Sequence, residues 1–170
     1  MGPQSTPQSP QQAGTSEPRP RLAEFLAEAE RLRDKALAVL KRDGHHESLL
    51  VGWRPDGTPE LIRFDLRADG PSQGVVLAAT VRRRGLRCFV SIAEAWMTRG
   101  PAVSLDVPPS ASPEREQVLV IGAIHPERKQ LWCYPFAAEG GSVVIGKALS
   151  TEGTTLGGDI SNALGTEGQP

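Results

Sequence analysis

The run "CFVSIAEAW", Cys88 to Trp96, constrains the chain more than any other stretch. Successive side chains on a strand point to opposite faces. Cys88, Val90, Ile92, Glu94 and Trp96 therefore share one face, and Phe89, Ser91, Ala93 and Ala95 the other. Its first half is apolar at both parities, which suits a strand buried between neighbours and not one at an edge. The rest of the chain has to be arranged around it. The exception inside the run is Glu94, a carboxylate at the margin of the apolar part.

The flanking segments supply the remaining elements. In "PRLAEFLAEAERLRDKALAVLKRDG", Leu22, Phe25, Leu26, Ala29, Leu32, Ala36, Val39 and Leu40 recur at helical spacing. Pro20 suits the first turn and Asp43-Gly44 the stop. Acidic residues come early and Lys41-Arg42 late, as the helix dipole favours. "ESLLVGWRPDGTPELIRFDL" alternates on both sides of a Pro-Asp-Gly turn and reads as a β-hairpin. "GPSQGVVLAATVRRRGLR" reads as a second helix, with Ser72 as its cap and Gly85 as its end. "REQVLVIGAI" and "KQLWCYPFAA" form another hairpin around "HPER", and "SVVIGKAL" is a last strand after a Gly-Gly turn. This order predicts an α+β fold: a mainly antiparallel sheet of about six strands with two helices packed on one face.

Both ends of the chain are polar. Residues 1–19 are rich in Pro, Gln, Ser and Gly and cannot bury enough surface to offset their ordering entropy, so they read as a disordered tail. Residues 151–170 read as a second flexible tail. That leaves 20–150 as a single domain. The Pro-rich segment between Met97 and Pro113 reads as a long loop, a length that in compact domains usually marks function or flexibility.

Charge is nearly balanced, with 19 Lys and Arg against 20 Asp and Glu, a net charge of -1. A generally basic nucleic-acid binder is not expected. No run approaches the ~20 apolar residues of a membrane span, and the N-terminus lacks the pattern of a secretory signal. The opening Met-Gly with Thr6 fits the bare acylation pattern, but Pro3 is a poor context and no lipid anchor is expected. Cys88 and Cys133 lie in separate apolar runs with no metal-ligand spacing. Buried free thiols in a reducing compartment follow, and the cytoplasm is the expected location.

The chemical motifs are sparse. The three histidines, His45, His46 and His125, form no metal-ligand pattern and read as surface or turn residues. No nucleophile elbow and no phosphate loop is present, and no cofactor is expected. The basic run Arg82 to Arg84, with Arg87, falls where a helix ends, and the helix dipole accounts for it. Glu94 remains. Its expected partner is Arg115, through a bidentate fork, if the strands carrying them are neighbours. Trp96 would then plug the sheet end under the loop.

The Glu94-Ala95-Trp96 strand end, followed by Pro109, Ser110, Pro113, Arg115 and Glu116 in "PPSASPEREQ", resembles an uncharacterised family of small bacterial and phage-associated proteins. The resemblance spans roughly 20–148. It brings no activity, but it implies that the two segments form one unit. The expected function is a non-enzymatic binding or accessory protein with an unidentified protein partner and a site at Glu94, Trp96, Ser110, Arg115 and Glu116. Two alternatives stand beside it. One is a small hydrolase-like enzyme with Glu94 as general base and a metal on His45 or His46 with Glu116. The other is a weak nucleic-acid binder working through Arg82 to Arg87.

Overall fold

A computed structural model describes residues 20–64, 73–98, 111 and 113–153. The chain runs α1 (Leu22–Asp43), β1 (Ser48–Trp53), β2 (Pro59–Phe64), α2 (Gln73–Arg84), β3 (Cys88–Thr98), β4 (Arg115–His125), β5 (Arg128–Glu139), β6 (Ser142–Ile145) and β7 (Leu149–Gly153). The sheet order is β2-β1-β3-β4-β5-β6, with β7 also pairing β5. Every pairing is antiparallel. The α+β class holds, with seven strands among the described residues where about six were expected. The predicted tail beginning at 151 is shortened at its near end, because residues 151–153 belong to β7. The remainder of both predicted tails, Ser72 and the Pro-rich segment 99–110 lie outside the described residues.

α1 forms where the apolar period predicted it. Its start is fixed by the Arg21 N–H, which donates to Glu24 Oε2 at 3.2 Å. Its end is Gly44, at φ 80°, whose N–H returns to the Leu40 carbonyl at 2.9 Å. Only glycine takes that left-handed conformation without strain. Phe25, Ala29, Ala36 and Leu40 are buried against Trp53, Cys88, Val90, Ile92, Leu119, Ile121 and Trp132. Phe25 sets its edge on Trp53 with ring centres 5.5 Å apart, and lies 5.3 Å from the His125 ring. Burial of a side chain of this size is worth about 2–3 kcal/mol.

The second helix corrects the expectation that both helices share one face. Leu77, Ala78 and Val81 of α2 pack with Leu50, Leu86, Phe89 and Ile124. These sheet residues alternate with Val51, Val90 and Ala123 of the first core and so point the other way. α1 and α2 therefore lie on opposite faces. The reason is Phe89: a fully buried phenyl ring at odd parity needs a layer of its own. Gly52 belongs to this face, where a Cβ would meet Leu86 Cδ1 at 2.3 Å.

The last predicted strand is broken in two. From Cys133 to Phe136, β5 advances three residues, while its partner advances four, from Ile145 to Leu149. One extra residue makes a bulge. It falls beside Pro135, which has no N–H to donate and whose carbonyl accepts the Gly146 N–H at 2.7 Å.

Candidate functional site

β3 outruns its neighbours. β1 pairs only Cys88 to Ile92 of it, whereas β4 follows it out to Thr98↔Arg115. β4 in turn pairs with β5 only from Val118 onward. Residues 94–98 and 115–117 thus continue as a two-stranded arm beyond the body of the sheet. Directly opposed residues share a face, so Glu94 stands with Leu119, Trp96 with Gln117 and Thr98 with Arg115 on the α1 side. Glu116 opposes Met97 and therefore projects from the other face.

Glu94 does not make the expected fork with Arg115. Its Oε1 accepts the His46 backbone N–H at 2.5 Å, and its Oε2 accepts the Gln117 side-chain amide at 3.0 Å. One carboxylate thereby ties the α1–β1 connection to β3 and β4. Arg115 instead places its guanidinium 4.7 Å from the centre of the Trp96 ring. The register explains the exchange. Arg115 is two pairs beyond Trp96 along the arm, while Gln117, opposite Trp96, sits diagonally from Glu94 and reaches it first.

Trp96 does not plug the sheet end. It is 43% exposed, and Arg115 flanks its ring. Of the residues expected at the site, Glu94, Trp96 and Arg115 come together on one face. Glu116 does not join them, and Ser110 lies outside the described residues. Sequence reasoning missed Gln117 and the His46 main chain. Gln117 was legible in principle, since its parity places it on the Glu94 face once the β3–β4 register is known.

The residues of the metal alternative do not converge. His46 is buried, and its Nδ1–H donates to the Glu47 carbonyl at 2.6 Å. The His45 ring turns to the Asp43 carbonyl at 3.2 Å. Among the described residues no group of three or more His, Cys, Asp or Glu is placed to hold a metal ion. His125 is not a surface residue. It is 1% exposed beneath Phe25, and its Nδ1 accepts the Glu127 N–H at 3.2 Å.

The cysteines are free thiols. Cys88 faces the α1 core, and burial pushes its pKa up to about 12. Cys133 opposes Val120, on the other face, and burial raises it too. Neither has the electropositive surroundings that make a reactive thiolate. Among the described residues no helix is long and apolar enough to cross a membrane. No family model matches this chain, and comparison with curated proteins and with solved structures finds no match.

Proposed function

We propose that this protein is a non-enzymatic binding or accessory module that engages a protein partner through the arm formed by the ends of β3 and β4. The observation that carries this reading is Trp96, half-exposed on the arm with the Arg115 guanidinium over its ring. A stacked tryptophan and arginine lose little side-chain freedom on binding, and these two residue types dominate the energetics of protein interfaces. The partner would set an apolar side chain against the uncovered part of the indole. Glu94 supports a structural reading better than a catalytic one, because both its oxygens hold donors that fix the base of the arm. The pairing of the Glu-Ala-Trp strand end with the Arg115-Glu116 segment supports kinship with the small bacterial proteins that carry both motifs. The unpaired cysteines support a cytoplasmic address.

The test is differential capture. Wild-type protein and Trp96→Ala, both with native circular dichroism, are immobilised and exposed to the same lysate. A protein retained by the wild type and reduced at least tenfold on the variant supports the reading. Equal retention by both, or nothing retained above a blank surface, overturns it.

A further inference from the structure

The end of the sheet away from the arm gathers positive charge that the balanced composition hides. The strand registers bring the β1–β2 turn, the entry to β3 and the start of β5 to this end, through Trp53↔Cys88 and Ile124↔Lys129. α2 finishes here, and the Arg87 N–H donates to the Trp53 carbonyl at 2.8 Å. On the α2 side stand Arg82 and Arg83, both exposed, together with Arg84 from the helix, Arg54 from the turn and Lys129 from β5. Lys129 opposes Ile124, which packs in the α2 core, so it shares that face. A helix dipole accounts for positive charge in the last turn of α2, but not for the cations that the sheet adds beside it.

The acidic groups at this end do not cancel them. Glu60 lies between two guanidiniums, with Arg54 at 2.8 Å and Arg84 at 3.0 Å, and neutralises one of the two. It also holds them side by side. Asp56, held ionised by the Thr58 N–H that it accepts at 2.9 Å, and Glu127 of the β4–β5 turn add negative charge here, but less than Arg82, Arg83, Lys129 and the remaining guanidinium supply.

We propose that this surface binds nucleic acid through its phosphates, without reading the bases. The positive groups are almost all arginine, whose planar fork matches phosphate oxygens. A stacking platform for unpaired bases is missing from the described residues here: Trp53 and Phe89, the aromatic residues at this end of β1 and β3, are buried. Backbone contact with a duplex fits these groups better than capture of a single strand. The surface is separate from the Trp96 arm and does not depend on it.

The experiment is fluorescence anisotropy of a labelled duplex of about 20 base pairs with the full chain, titrated between ~50 and ~200 mM salt. Binding should weaken as salt rises and should not differ between two unrelated duplex sequences. The double variant Arg82→Ala/Arg83→Ala should weaken binding about tenfold or more at low salt. It should also reduce the slope of log K against log salt by about two, at ~0.9 per phosphate contact. Lys129→Ala should give a smaller loss in the same direction, and Trp96→Ala none. No binding at low salt would overturn the proposal, as would binding unchanged in both the double variant and Lys129→Ala. Binding to vesicles of anionic phospholipid without binding to the duplex would overturn it in favour of a membrane surface.

Discussion

The Glu94 carboxylate accepts the main-chain N–H of His46 at 2.5 Å across 48 residues of sequence. It takes the Gln117 amide on its other oxygen at 3.0 Å. The chain leaving α1 must turn into β1 near this point, and the His46 N–H would otherwise be left without a partner in a half-buried place. Glu94 satisfies it and also anchors the first residues of the arm that carries Trp96. The carboxylate that looked like a candidate base at a strand tip is the fastening between a helix exit and two strands.

Removing that fastening has a predictable cost. Glu94→Ala leaves the His46 N–H and the Gln117 amide unsatisfied and should destabilise the fold by about 1–3 kcal/mol. Glu94→Gln keeps an acceptor for His46, and Gln117 can turn its own oxygen toward the new amide, so its loss should stay below about 1 kcal/mol. Urea titration of both variants measures the difference. Equal losses would show that shape, not hydrogen bonding, holds this corner.

Arg115 and Trp96 make a second prediction with the opposite character. An exposed cation–π pair contributes about 0.5–1 kcal/mol, so Arg115→Ala should barely change the unfolding midpoint. It should open one face of the indole. Trp53 and Trp132 are buried, so the rise in acrylamide quenching of fluorescence should come from Trp96 and vanish when Trp96→Ala is combined with Arg115→Ala. No rise in quenching would mean that Arg115 does not shield the ring in solution.

Gly52 gives a third. A methyl group here meets Leu86 Cδ1 at 2.3 Å and its Cγ at 3.0 Å, in the core that α2 closes. Gly52→Ala should push Leu86 off its position and cost about 1–3 kcal/mol by overpacking. Combining it with Leu86→Ala removes the clash. In thermal denaturation the double variant should therefore lose less than the sum of the two single variants.

Much of the fold was readable from the chain because it rests on local patterning. The apolar period of α1, the Pro-Asp-Gly and His-Pro-Glu-Arg turns, and the two-sided apolar start of β3 all name their elements directly. What was not readable depends on register and on the third dimension. The parity of Phe89 already implied a second layer, but the choice of α2 to supply it came from packing with Leu50 and Ile124. The Pro135 bulge was missed because a proline in a strand marks a broken ladder without saying which partner bends. At the site, Glu94 and Arg115 were charge-complementary in sequence, yet their strand register sets Gln117 closer. A main-chain N–H such as that of His46 has no signature in a sequence at all.

The final prediction concerns pH and follows from Cys88. Burial holds its pKa at about 12 in the folded protein, up from an ordinary value of 9.0. Below pH 9 both the folded and the unfolded chain keep this thiol protonated, and it contributes no pH dependence. Above pH 9 the unfolded chain ionises it while the folded chain does not, so the unfolded state binds fewer protons. Stability must then fall as pH rises from 9 toward 12, by at most ~1.4 kcal/mol per pH unit for this one group. Cys133, also raised by burial, adds to the fall in the same direction. Cys88→Ala removes the larger contribution at the cost of a small cavity. Its urea midpoint should start lower at pH 8 and decline less steeply between pH 9 and 10.5 than that of the wild type. Parallel declines in the two proteins would show that other groups govern alkaline unfolding. Alkylation gives an independent reading: at pH 8 in native buffer Cys88 should resist iodoacetamide, and in urea both cysteines should react.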